Sequence, residues 1–232
     1  LYITSLSCAK NGTIFYGTPE GKIFQIDRLG KSSLMLDFQA KYGAKDWFSI
    51  EKITENNKGE LLIGTSKTGV YCYNFKEKSL RPILGPDRLH QFLYVRDIIQ
   101  PNDHEYWFAT ESGLFIYQIA SQNYIHIQKE QKNPWGISDN AIYNILRDKD
   151  EGIWLGTYFG GINYYHKNNS IIEKFLPQDR PGSLKGSVVR IIKKDNNQNI
   201  WIGTENGGLS KLDPLSGSIQ NFSDKQGNLA NN

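Results

Sequence analysis

Long apolar runs are missing from this chain of 232 residues. Nothing approaches the ~20 apolar residues of a membrane-spanning helix, and the opening LYITSLSCAK lacks the charged-then-apolar layout of a signal peptide. A soluble segment, cut from something larger, is expected. Blocks of like charge are missing too: Lys plus Arg number 27, Asp plus Glu 24, and the net charge of +3 is spread along the chain. Nothing in that balance demands nucleic acid as a partner. Cysteine is scarce, and Cys8 and Cys72 occupy unrelated places in the repeat described below, so buried free thiols are expected rather than a disulfide. The four histidines, His90, His104, His126 and His166, have no metal-ligand spacing and no cysteine beside them, so no metal site and no cofactor are expected.

What the chain has in quantity is glycine and aromatics: 22 Gly, 13 Tyr, 11 Phe and 5 Trp, against one Met. That mixture favours strands and tight turns over helices.

The residues repeat. A Gly-Thr step stands at Gly17-Thr18, Gly64-Thr65, Gly156-Thr157 and Gly203-Thr204, with Ala109-Thr110 in the third copy, at spacings of 47, 45, 47 and 47. Two residues before this anchor are Phe15, Leu62, Trp107, Trp154 and Trp201, so that Trp107, Trp154 and Trp201 are expected in the core between blades; three before it are Ile14, Leu61, Tyr106, Ile153 and Ile200. Fourteen before it stand Ile3, Ile50, Val95, Ile142 and Val189, and eleven before it Leu6, Ile53, Ile98, Ile145 and Ile192. All ten of these last residues are branched aliphatics. Between the two blocks lie turn residues such as Asn11-Gly12 and Asp150-Glu151-Gly152, and after the anchor a polar loop ends in Gly21, Gly69, Gly113, Gly161 or Gly208. Glycine there suits a positive φ. A third strand and a weaker fourth follow, and four strands in a period of ~45 residues is the signature of a β-propeller blade.

The fold class is therefore all-β, a propeller of four-stranded antiparallel blades. Five repeats are expected at about 1–46, 47–93, 94–138, 139–185 and 186–232, with the first-column residues Ile3, Ile50, Val95, Ile142 and Val189 on innermost strands and no long helix. The ending Leu229-Ala-Asn-Asn232 reads as the lead-in to another first strand. Further blades of the same chain are expected, for example to a total of seven, and the five alone are not expected to close a ring.

Around Gly152-Ile-Trp-Leu-Gly-Thr157 and Asn199-Ile-Trp-Ile-Gly-Thr204 the sequence resembles the two-component regulator propeller repeat. The resemblance runs through all five copies and is weakest in the first, where Tyr16 and Pro19 depart from the pattern. It implies the periplasmic sensor region of a hybrid two-component histidine kinase, with the parent protein held in the inner membrane. It further implies a module that senses a glycan or its breakdown product, with a homodimer of the parent as a possible partner. The kinase itself would lie elsewhere in the parent.

An enzyme is the alternative class, a lyase or glycosidase. The Asp-x-Gly-x-Trp hairpins are similar to the Asp-box of sialidase propellers, but the preceding Ser is missing. Asp148-Lys-Asp150-Glu-Gly152 begins like a calcium loop yet lacks the later ligands, and its place in the repeat makes it a turn. A scaffold or dimerisation propeller with no ligand is the third class. For a ligand, the loops entering each first strand and those joining the second and third strands should share one side. The first set contains Lys45-Asp46-Trp47, Asp87-Arg88-Leu89-His90, Asn133-Pro134-Trp135 and Gln178-Asp179-Arg180, and the second Glu111, Tyr158-Phe159 and Glu205-Asn206. Trp47, Trp135, Tyr158 and Phe159 are aromatic where the repeat does not require it, the residue type that stacks on sugar rings. Arg96 and Arg190 follow the first column and would hold carboxylates or hydroxyls of a glycan near the channel mouth.

Overall fold

The computed structural model describes residues 2–42, 48–89, 91–131, 133, 136–166, 169–178 and 181–223, without the side chains of 41, 42, 87 and 169–174. Among the described residues twenty strands form five four-stranded sheets, each antiparallel and in chain order. The first sheet is β1 (Ser5–Cys8), β2 (Ile14–Gly17), β3 (Lys22–Ile26) and β4 (Ser32–Asp37). The second is β5 (Ile50–Glu55), β6 (Leu61–Thr65), β7 (Val70–Asn74) and β8 (Ser79–Leu84), and the third β9 (Val95–Asn102), β10 (Glu105–Thr110), β11 (Gly113–Gln118) and β12 (Tyr124–Ile127). The fourth is β13 (Ile142–Arg147), β14 (Ile153–Thr157), β15 (Ile162–His166) and β16 (Asn169–Phe175), and the fifth β17 (Val189–Lys194), β18 (Ile200–Thr204), β19 (Gly208–Leu212) and β20 (Ile219–Phe222). The helices among the described residues are single turns, α1 (Phe38–Tyr42) and α2 (Pro86–Leu89). The chain is an all-β propeller segment.

The chain divides into two compact units, residues 1–111 with 115–125, and residues 112–114 with 126–232. In the first unit β1 touches β5 and β5 touches β9; in the second β13 touches β17. First strands thus neighbour first strands, as the aliphatic columns require. One core joins Phe15, Ile23 and Phe38 to Ile50, Ile53, Leu61 and Ile63, and another joins Leu62, Val70 and Cys72 to Val95, Ile98, Tyr106 and Phe108. In the second unit Trp154 and Ile162 pack on Val189, Ile192, Ile200 and Ile202.

The anchor has a steric cause. A Cβ on Gly17 would lie 2.5 Å from Ile50, on Gly64 2.7 Å from Val95, and on Gly156 3.0 Å from Val189. Each glycine makes room for the first-column aliphatic of the next sheet. The threonine closes the loop: Thr65, Thr157 and Thr204 donate their hydroxyls to the carbonyls of Gly69, Gly161 and Gly208 at 3.0, 2.8 and 3.0 Å. Those glycines have φ of 83°, 77° and 76°, where a side chain is strained.

Three expectations need correction. Ile3 lies before β1 and is 50% exposed, and Leu6, although in β1, is 68% exposed. Cys8 is exposed, whereas Cys72 is buried as expected; both are free thiols. Trp201 is only partly buried, unlike Trp107 and Trp154.

Candidate functional site

The loop entering each first strand and the loop leaving each anchor are tied to the same end of their sheet. The backbone N–H after the anchor threonine donates to the carbonyl just before the first-column residue: Ser66 to Ser49 at 3.1 Å, Glu111 to Tyr94 at 3.1 Å, Tyr158 to Ala141 at 2.8 Å and Glu205 to Val188 at 3.0 Å. The side chains one place beyond each of these two columns therefore meet across the strand pair.

In the second unit these meetings build an aromatic and charged surface. Tyr143 stacks on Tyr158 with ring centroids 5.1 Å apart and planes at 20°. Phe159 packs edge-on against Tyr158 at 4.3 Å and is itself 65% exposed. Its backbone N–H donates to Asp139 Oδ2 at 2.9 Å, which fixes the loop. In the next blade Arg190 pairs with Glu205 at 3.0 Å. The hydrogen bond and charge of Glu205 hold the Arg190 guanidinium above its ordinary pKa, with smaller contributions from the Tyr143 and Tyr158 hydroxyls.

The first unit carries the same pairing with other residues. Arg96 Nε donates to Glu111 at 3.1 Å, a second guanidinium nitrogen bonds the same carboxylate, and Glu51 stands 3.7 Å away. The guanidinium also covers the Tyr94 ring at 4.0 Å. Burial pushes the Tyr94 hydroxyl up to about 12, the Glu51 charge adding to the shift.

The structure thus joins Arg96 to Glu111, Tyr158 to Phe159 and Arg190 to Glu205, each pair inside its own unit. Trp47 and Trp135 lie outside the described residues, as do Lys45, Asp46, His90, Pro134, Asp179 and Arg180. The predicted guanidiniums already hold carboxylates, so a ligand must share or displace Glu111 or Glu205. Sequence reasoning missed Tyr143, Tyr94, Glu51 and Asp139. Tyr143 was accessible from the repeat itself: it stands one place after the first column, where Arg96 and Arg190 stand.

The hairpin acids have structural work. Asp148 Oδ1 accepts the N–H groups of Asp150 and Gly152 at 2.9 and 2.8 Å, and its Oδ2 accepts the Trp154 indole N–H at 2.7 Å. Asp195 does the same for Asn197, Asn199 and Trp201 at 2.9, 3.0 and 2.8 Å. In the second copy Asn56 Oδ1 accepts from Lys58 and Glu60, both at 2.9 Å. The calcium-like stretch is thus a side-chain-capped turn. A small cleft beside β8 is lined by Tyr71, Arg81, Arg88 and Tyr117, and Arg88 there is committed to the carbonyls of Ile83 and Gln122 at 3.2 and 2.7 Å.

Comparison with known proteins agrees with this geometry. Residues 136–159 and 183–206 match the two component regulator propeller family, the two matches lying 47 positions apart like the anchors. Histidine kinase P4 of Formosa agariphila is 26% identical over 145 residues, which are 60% of this chain and 10% of that protein. The extracellular domain of a hybrid two component system from B. thetaiotaomicron superposes with a TM-score of 0.73 at 20% identity, over 94% of this chain and 29% of that one. PorZ, a surface component of the type-IX secretion system of Porphyromonas gingivalis, gives 0.71 at 16% identity over 99% and 35%. The WD40 propeller of Doa1 gives 0.63 at 12% identity over 94% and 67%. The chain spans only a tenth of the curated relative and about a third of the first two solved structures. At these identities the structures establish the fold. With the match falling in the fourth and fifth copies, this chain is a β-propeller segment whose residues 136–159 and 183–206 match the two component regulator propeller repeat.

Proposed function

We propose that this segment is the extracytoplasmic, periplasmic ligand-sensing part of a two-component signalling protein, and that it binds a glycan or a glycan breakdown product. The observation that carries the reading is Phe159, a large apolar ring left 65% exposed on a loop tied down by Asp139. It sits beside the Tyr143 and Tyr158 rings, close to the Arg190 and Glu205 hydrogen-bonding groups. A sugar offers apolar C–H faces and a rim of hydroxyls, and such a surface offers rings and polar groups to match. Relay to a histidine kinase follows from likeness to sensor proteins, since catalysis of phosphoryl transfer would belong to other parts of a parent protein. Calorimetry with a panel of oligosaccharides tests the binding. Phe159→Ala and Tyr158→Ala should each weaken binding by about tenfold or more, near 1.4 kcal/mol, with Trp47→Ala and Trp135→Ala measured alongside. Unchanged affinity in all four, with folding intact, would move the ligand elsewhere; no binding across the panel would leave a scaffold.

A further inference from the structure

Resting on the glycan reading above, we infer that the surface around Phe159 takes an uncharged sugar and disfavours a carboxylated or sulfated one, because its guanidinium, Arg190, is already neutralised by Glu205. The residue one place after the first column and the residue after the anchor threonine meet across the first strand pair of each sheet. In the third and fifth copies these two places hold Arg96 with Glu111 and Arg190 with Glu205, and in the fourth Tyr143 with Tyr158. Wherever the first place is a cation, the second, fifteen residues on, is a carboxylate, and the structure joins them: Arg190 to Glu205 at 3.0 Å, and Arg96 Nε to Glu111 at 3.1 Å. Where the cation gives way to Tyr143 the carboxylate gives way too, and the two rings stack at 5.1 Å. The second copy has an acid at the first place, Glu51, and it stands 3.7 Å from Arg96 of the next sheet. The first copy puts no charge at either place. The repeat thus varies the residues of the pair and keeps each guanidinium matched by a carboxylate.

An ion pair half open to water suits hydroxyls. The side chains of Arg190 and Glu205 are 51% and 50% exposed, so N–H donors of the one and carboxylate lone pairs of the other remain open to solvent. A sugar hydroxyl both donates and accepts, and two neighbouring hydroxyls bond the donor and the acceptor at once with the ion pair intact. A carboxylate or sulfate only accepts. To reach Arg190 it must push Glu205 aside or sit against its charge, and either way a negative charge is left beside another or without its partner. Asp139, whose Oδ2 holds the Phe159 N–H at 2.9 Å, brings a further carboxylate to the same surface. An amino sugar gains Glu205 only by taking it from Arg190. The Tyr143, Tyr158 and Phe159 rings meet the C–H faces of a sugar, which carry no charge.

Calorimetry on this chain with neutral gluco-, manno- and galacto-oligosaccharides, oligogalacturonate, sulfated galacto-oligosaccharides and chitosan oligomers reads the charge class. The neutral oligosaccharide that binds best is then oxidised at C6, which places a carboxylate on the same backbone. The neutral form should bind at least about tenfold more tightly than the oxidised one. Glu205→Gln should shrink that ratio to about threefold or less, chiefly by tightening the oxidised form. Glu77→Gln, an exposed acid in the turn between β7 and β8, should leave the ratio unchanged. An acidic or amino member that binds more tightly than every neutral one overturns the inference. So does a ratio that Glu205→Gln leaves where it was while circular dichroism shows native folding. No binding by any member, charged or uncharged, removes the glycan reading and the inference with it, an outcome distinct from binding without charge selection.

Discussion

At the scale of single residues, the tryptophan column shows how one side chain serves two ends. The ring fills space between sheets and the indole N–H closes the hairpin on an acid, Trp154 on Asp148 and Trp201 on Asp195. Trp154→Ala should therefore cost ~3 to 5 kcal/mol in urea unfolding, and Trp201→Ala markedly less, because its ring is only partly buried. Equal losses would contradict the difference in burial. The indole and the Asn199 amide hold the Asp195 carboxyl down at about 2. A carboxylate with a depressed folded value contributes stability that is present above its unfolded value near ~3.9 and is lost as the pH falls through the folded one. The Trp201 indole N–H resonance should hence keep its hydrogen-bonded position at pH 3.5 and shift only toward pH 2. Movement centred near pH 4 would show that the bond is not made.

At the scale of elements, the controlling contact is between the second strand of one sheet and the first strand of the next. Gly64→Val would drive a side chain against Val95, whose Cγ1 a Cβ would already meet at 2.7 Å. Overpacking of this kind costs roughly 1 to 3 kcal/mol, whereas Gly30→Ala, with open space around it, is not crowded but is strained by its φ of 78°. Urea titration of Gly64→Val with unchanged far-ultraviolet circular dichroism checks this; a neutral result would remove the steric account of the anchor. The Arg190–Glu205 pair, about half exposed on both sides, belongs to the class worth under ~1 kcal/mol. Its removal should therefore change stability little.

At the scale of the molecule, the second sheet lies between the first and the third, its β5 touching both β1 and β9. All five residues of β6 are buried. Hydrogen exchange should accordingly be slowest in β6 and much faster in β1 and β4, which hold the exposed Leu6 and Leu34. Uniform protection across the three would mean that the first sheet is as well covered as the second. Much of this organisation was legible in the sequence, since a column of branched aliphatics at fixed distance from a Gly-Thr step is visible without coordinates. The exceptions sit at the first and fifth sheets, where Ile3, Leu6 and Trp201 keep the repeat's residue type yet are exposed or only partly buried. Of the candidate site, the residue types and the shared loop side were legible, but the partners were not. Arg96 and Arg190 read as open guanidiniums until their pairing with Glu111 and Glu205, fifteen places away, came into view.

The sequence by itself determined the strands, their order in each sheet and the turns between them. These depend on local alternation, on glycine where φ is positive and on Asp or Asn caps within four residues. Tertiary structure alone decided why the anchor is glycine and which polar side chains are already spoken for. It also decided which member of a uniform apolar column is left facing solvent, because each of these depends on what the neighbouring sheet brings within a few ångströms.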